Sequence, residues 1–130
     1  MTSMSGSRGR RVVLSDMTRI LAEIVRDLVG REPDLEYVGS VALPDLAAAL
    51  PSIRPDVVVL AGPRSDQARA AREELRHAAP GVTLVEIRPR DDHAIVWRPG
   101  SHPQPIALSA SGIVAALRGL VPEERGAAPV

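Results

Sequence analysis

The sequence contains no cysteine, no lysine and no phenylalanine. Without cysteine the chain has no disulfides, thiol nucleophiles or thiolate metal ligands. Without lysine it cannot form a side-chain Schiff base, and all 16 basic residues are arginines. Because Tyr37 and Trp97 are the only aromatic residues, the core must consist mainly of aliphatic side chains.

The chain also has no net charge, since its 16 acidic residues balance its 16 arginines. We therefore expect no nucleic-acid partner, which would require a strongly basic surface. No apolar run approaches the ~20 residues that span a bilayer, and none follows residues 1–11 as in a signal peptide. We expect a cytoplasmic protein with no membrane partner and no cofactor.

The 130 residues suit a single domain, and their 45% hydrophobic content is sufficient for a core. Residues 11–121 are predicted to form this domain. Residues 1–10 and 122–130 are predicted to be a disordered lead and a disordered tail, because they lack apolar periodicity.

Short apolar runs alternate with helical patterns over most of the predicted domain. Residues 12–14, 35–41, 57–60 and 82–87 are predicted strands, and the segments between them are predicted helices. Right-handed crossovers between such strands produce a parallel sheet with helices on both faces. We therefore predict a three-layer α/β domain of the flavodoxin-like type, with parallel strands in the order 2-1-3-4.

The patterns also place particular side chains. Five apolar residues recur at helical spacing in the first helix and therefore share one face of it: Ile20, Leu21, Ile24, Val25 and Leu28. Glu86 is an acidic residue inside the fourth predicted strand. Since fully buried carboxylates are rare, it indicates that one side of this strand meets water.

The connection after the fourth strand is too short for another crossover. Only the five residues 88–92 form the connection between that strand and the segment that contains the next apolar run, 94–97. Parallel neighbours need a connection of roughly a dozen residues. The fifth strand is therefore predicted to return antiparallel, in place of the usual crossover helix. Residues 106–108 predict a further short strand, and Ser109 is the predicted cap of a final helix through Val121.

Three segments follow one another in a characteristic order and at characteristic spacing: residues 11–16 (RVVLSD), 29–39 (VGREPDLEYVG) and 54–60 (RPDVVVL). Together they resemble the receiver domain of two-component response regulators, over roughly residues 11–63. The resemblance implies a phosphorylation switch. In that family an acidic pair after the first strand binds magnesium, and an aspartate that ends the third strand accepts phosphate.

The family's reactive carboxylates are largely replaced in this chain. The first acidic position corresponds to Asp16, but the second corresponds to Met17 and the phosphoacceptor position to Ala61. A methyl group cannot accept phosphate, and one carboxylate beside a thioether is a poor set of magnesium ligands. The resemblance therefore implies a degenerate receiver that is not an enzyme.

The family's remaining site positions are apolar or basic in this chain. Its hydroxyl position falls near Ile87 or Arg88, and its lysine position corresponds to Arg98. The predicted degenerate site is a crevice at the carboxyl ends of the strands, formed by Asp16, Met17, Ala61, Gly62, Arg88 and Arg98. Asp16 has two alternative, purely structural roles: it caps the first helix, or it forms an ion pair with Arg88 or Arg98.

A cluster of polar residues surrounds the predicted hairpin: Asp91, Asp92, His93, His102 and Glu86. Their spacing matches no structural zinc pattern, and two aspartates between strands are typical of a turn. We therefore predict no metal site.

Trp97 lies on the predicted fifth strand, over a face that lacks its crossover helix. An uncovered apolar face is typical of an interaction site. The alternative is that Trp97 packs on the final helix as part of the core. The predicted partner contacts are Ile95, Trp97 and Arg98.

Three functions remain open. The first prediction is a stand-alone, phosphorylation-independent interaction module, which presents its hairpin and last helix to a protein partner or to a second copy of itself. The alternative is a sensor whose crevice binds a small metabolite or nucleotide. The third is an enzyme that uses Asp16 as a general base, for which the sequence shows no partner nucleophile.

Overall fold

The computed structural model describes residues 9–62 and 66–120, which form a mixed six-stranded sheet and four α-helices. The strands are β1 (Arg10–Ser15), β2 (Leu35–Ser40), β3 (Val57–Ala61), β4 (Thr83–Arg88), β5 (His93–Trp97) and β6 (Gln104–Ala107). The helices are α1 (Arg19–Gly30), α2 (Leu43–Ile53), α3 (Asp66–Ala78) and α4 (Ala110–Leu117), and a 3-10 turn (Pro89–Asp91) joins β4 to β5. The predicted α/β class is confirmed.

The order of strands in the sheet is β2-β1-β3-β4-β5-β6. The first four strands are parallel and stand in the predicted order. β5 runs antiparallel to β4, as the short connection predicts, and pairs Ile95 with Glu86 and Trp97 with Leu84. β6 confirms the predicted additional strand, and its Pro105 limits pairing of this edge with another chain.

Two apolar cores lie on opposite faces of the sheet, so the domain has three layers. α1 and α4 cover one face, and α2 and α3 cover the other. Residues 57–60 of β3 are all fully buried because helices cover both of their faces, which explains the unbroken apolar run in the sequence.

Only part of the predicted apolar stripe of α1 faces the core. Val25 and Val29 are buried, whereas Ile20 and Ile24 are 72% and 49% exposed. The stripe is therefore only partly buried, and Ile20 and Ile24 lie on its exposed side. At about 100° per residue, Ile20 and Ile24 lie on the side of the stripe that is farthest from Val29.

β1 begins at Arg10, which pairs with Leu35 of β2, one residue before the predicted start of the domain. α4 ends at Leu117, earlier than predicted, and Gly119 follows in the left-handed region with φ 82°. Most of the predicted lead, the predicted helix end at Val121 and the predicted tail lie outside the described residues. None of the helices within residues 9–62 and 66–120 has the length and hydropathy to cross a membrane.

Candidate ligand-binding crevice

The carboxyl ends of β1, β3 and β4 meet at one edge of the sheet. α1 follows β1 on one face, and α3 follows β3 on the other face. A doubly wound sheet binds ligands where successive helices diverge in this way. Ala61, Gly62 and Arg88, three of the residues assigned to the crevice from the sequence, line the cleft at this edge.

The cleft has a volume of about 850 Å³. Small-molecule sites typically measure ~300–1,000 Å³. Three other clefts formed by described residues measure about 360, 380 and 360 Å³. The crevice is therefore large enough for a metabolite-sized molecule, and it combines an apolar wall with a cationic wall.

The apolar wall comes from the first two turns of α1. Ile20, Leu21 and Ile24 line the cleft, and Ile20 and Ile24 are two of the three exposed large hydrophobic residues in the described part of the chain. Thr18 caps this helix, since its Oγ1 accepts a hydrogen bond from the Leu21 N–H at 3.2 Å. The first turn of α1 contains no acidic residue that would offset the positive end of the helix dipole.

The cationic wall consists of four arginines. Arg69 and Arg72 project from α3 at a spacing of three, Arg88 ends β4, and Arg90 lies in the 3-10 turn. Asp91 is the acidic residue that also lines the cleft. Grouped positive charge in a concave surface favours anions.

A fully buried carboxylate, Glu86, holds two of these arginines in place. Its Oε1 accepts a hydrogen bond from Arg72 Nη1 at 3.0 Å, and its Oε2 accepts one from Arg88 Nη2 at 3.1 Å. The prediction that this side of β4 meets water is therefore wrong. The guanidinium groups take the place of water as partners of the carboxylate.

Gly62 leaves the room that Arg88 occupies. A Cβ at position 62 would lie 3.1 Å from Arg88 Cγ and 3.4 Å from Glu86 Oε2. The Gly62 N–H also donates to the carbonyl of Ile87 at 2.9 Å, which holds the end of β3 beside β4. Glycine at this position thus allows the side chain of Arg88 to pass the end of β3.

Asp16 and Met17 are absent from the lining of the cleft. Asp16 is exposed, and its φ of 52° lies in the left-handed region that aspartate tolerates. Its Oδ1 accepts a hydrogen bond from the Leu43 N–H at 3.2 Å, so Asp16 caps α2. The alternative that it caps α1 is therefore wrong. It forms no ion pair with an arginine within residues 9–62 and 66–120. Met17 packs against the core that α1 covers.

Arg98 lies at the opposite end of the sheet, near the amino ends of the parallel strands. Because β5 is antiparallel, its last residue, Trp97, pairs with Leu84 near the start of β4. Arg98 follows it there, lines a separate cleft with Thr83 and donates to Gln104 Oε1 at 3.3 Å. The assignment of Arg98 to the crevice is therefore wrong, since only a parallel fifth strand would bring it to the carboxyl ends.

Trp97 packs in the core that α2 and α3 cover. The guanidinium carbons of Arg72 and Arg76 lie 4.9 and 5.5 Å from its ring centroid, within the range of cation–π contacts. Of the two alternatives for Trp97, packing against a core is therefore observed, but not on the final helix, because Val96 faces that helix and side chains alternate along a strand. Ile95 and Trp97 are both half-buried.

The described lining of the cleft offers positive charge and apolar contact, and Asp91 is its one carboxylate. Both oxygens of Glu86 are bonded to arginines, and the hydroxyl of Thr18 caps α1. Within the described residues no group of three or more histidine, aspartate and glutamate side chains is arranged to hold a metal ion.

Both walls were missed from the sequence. The spacing of four between Ile20 and Ile24 and of three between Arg69 and Arg72 is visible in the sequence and places each pair on one helix face. That the two faces meet at one cleft follows only from the positions of α1 and α3 on the sheet.

The sequence matches no protein-family model and no curated protein. The geometry and the chemistry of the crevice are therefore the basis for a functional proposal.

Proposed function

We propose that the chain is a non-catalytic, receiver-like domain that binds a small ligand in the crevice at the carboxyl ends of β1, β3 and β4. The strand order β2-β1-β3-β4 supports the flavodoxin-like part of this proposal. The observation that carries the function is the cleft of about 850 Å³, with exposed isoleucines on one side and arginines on the other.

The end of β3 supports an action that does not depend on phosphorylation. Ala61 occupies the position at which the receiver family carries its phosphoacceptor, and Asp16 caps α2 outside the cleft. In the proposed function, occupancy of the crevice by a ligand takes the place of a phosphoryl group as the signal.

The proposal of a protein-interaction surface has less support from the same geometry. Contact of Trp97 with Arg72 and Arg76 accounts for its half-buried position without a partner. That surface stays a prediction, and we favour the ligand-binding alternative.

Fragment binding followed by ¹H–¹⁵N NMR of the full chain tests this function. We expect fragments to shift the backbone amides of Leu21, Gly62 and Arg90, and the cleft-filling variant Ile24→Trp to abolish these shifts. The matched variant Leu120→Trp alters an exposed hydrophobic residue outside the cleft and should preserve them. Shifts confined to other regions, or shifts that persist in Ile24→Trp, would contradict the proposal.

A further inference from the structure

We infer that the ligand of the crevice is an anion that carries an apolar body, in the chemical class of aryl or alkyl sulfonates, carboxylates and phosphates. This inference rests on the proposed function and specifies its ligand class. It follows from two observations: some arginines of the cleft lack strong partners within the protein, and the isoleucines opposite them are exposed.

Two of the four arginines are available to an anionic group. The guanidinium of Arg90 has no hydrogen-bonding or ion-pairing partner among residues 9–62 and 66–120. Arg69 pairs with Asp66 across 3.5 Å, and both side chains are largely exposed, at 60% and 101%. An exposed ion pair of this kind is weak, so an anion can replace Asp66 as the partner of Arg69.

The other two arginines are shared with Glu86. Arg72 is nine-tenths buried and is bonded to Glu86 and Glu73, so it contributes mainly structure. Arg88 donates one Nη2 bond to Glu86 but remains 38% exposed, and a guanidinium has five N–H donors. Arg88 can therefore also donate to a ligand while Glu86 keeps it in place.

The opposite wall requires an apolar partner. Ile20 and Ile24 lie one helical turn apart on α1, and both face the cleft with much of their surface exposed. A small inorganic anion would leave this surface in water, whereas a ligand with an apolar body would cover it. A cation with the same body would meet the positive charge of the opposite wall.

Two probes that share one aromatic scaffold test the ligand class. 8-Anilinonaphthalene-1-sulfonate is an apolar anion, and N-phenyl-1-naphthylamine is the same scaffold without the sulfonate. We expect saturable fluorescence binding of the sulfonate to the folded chain, at least about tenfold tighter than that of the amine, as expected for a charge-assisted hydrogen bond. Methanesulfonate, which lacks the apolar body, should compete only weakly.

Variants assign the two parts of the interaction. The double variant Arg69→Gln/Arg90→Gln should weaken sulfonate binding about tenfold and leave amine binding unchanged. Ile20→Ser/Ile24→Ser should weaken both probes. Arg31→Gln removes an exposed arginine at the far end of α1, which is paired with Asp27, and should change neither.

The outcomes separate this inference from the proposed function. Equal binding of the two probes, unaffected by the arginine variants but weakened by the isoleucine variants, would overturn the anionic class and leave the crevice as a binding site. Binding of neither probe, or binding that no cleft variant alters, would overturn both proposals.

Discussion

Glu86 has no exposed surface, and two guanidinium groups contact its carboxylate. Taking a carboxylate out of water costs several kcal/mol, and a buried ion pair recovers about that amount. The network of Arg72, Glu86 and Arg88 therefore adds little net stability while complete. Its consequence is geometric, because it fixes α3 on the sheet and Arg88 at the crevice.

Removing the charge of Glu86 leaves both guanidinium groups without this carboxylate partner. Glu86→Gln should lower the free energy of unfolding by about 3 kcal/mol, because one amide cannot accept from both arginines. Urea denaturation measures the change, and Glu74→Gln on the exposed side of α3 is the control, with a change within about 0.5 kcal/mol.

A double variant distinguishes charge from packing in the same network. Glu86→Met/Arg72→Met removes both buried charges, and Arg88 remains partly exposed. We expect this double variant to be more stable than Glu86→Gln alone. A double variant that is less stable would show that the network contributes mainly through its own bonds.

Asp16 stabilises the start of α2 from a neighbouring loop, because Ala42 at the N-cap position provides no side-chain acceptor. Asp16→Ala should lower the free energy of unfolding by about 1 kcal/mol through loss of the cap. Asp16→Asn keeps an acceptor and tolerates the left-handed backbone, so its stability should stay near that of the wild type. An equal loss in both variants would show that the charge, and not the hydrogen bond, is what stabilises α2.

At the scale of elements, one arginine connects α4 to the loop between α1 and β2. Arg118, which follows α4, donates to Asp34 Oδ2 at 2.7 Å and to Oδ1 at 3.0 Å, and it also bonds to Glu32. The hydrogen bond from Arg118 lowers the pKa of Asp34 below its usual value, and the same pair raises the pKa of Arg118. This contact therefore joins the carboxyl-terminal end of α4 to the loop that follows the carboxyl-terminal end of α1.

This contact predicts a pH dependence of stability. Because the pKa of Asp34 is lower in the folded chain than in the unfolded chain, its stabilisation is present above the unfolded value of about 3.9 and is lost as the pH falls through the folded value. The thermal midpoint of the wild type should therefore fall more steeply below about pH 4 than that of Asp34→Asn. Parallel curves for the two proteins, measured by circular dichroism, would contradict this role, and Glu23→Gln serves as the control.

The sequence predicts elements better than it predicts the contacts between them. The run at residues 57–60 predicts a central strand, and five residues between two strands predict an antiparallel return, because both inferences depend on local chemistry and chain length. The partners of Glu86 lie on another element, since Arg72 is 14 positions away. The walls of the crevice are missed for the same reason. The receiver resemblance assigns Arg98 to the crevice, whereas the antiparallel return predicted for β5 puts it at the other end of the sheet.

At the scale of the whole molecule, the proposed function predicts that the chain does not accept a phosphoryl group. After incubation with acetyl phosphate and magnesium, intact-mass spectrometry should show the unmodified chain, because Ala61 offers no nucleophile at the end of β3. A phosphoryl adduct that maps to Asp16 would instead show that the exposed carboxylate reacts. A receiver domain with an intact acidic site is the positive control.

The two halves of the sheet differ in how far apart along the chain their partners lie. β4, β5 and β6 pair across short connections without α-helices, whereas each pair of parallel strands is separated in the chain by at least one helix, as Val12 and Val57 are. Short loops close at lower entropic cost than long ones, and local pairing speeds folding. We therefore expect the three-stranded meander to gain amide protection first during refolding, so that fluorescence of Trp97, the single tryptophan, reports on the early half of the reaction.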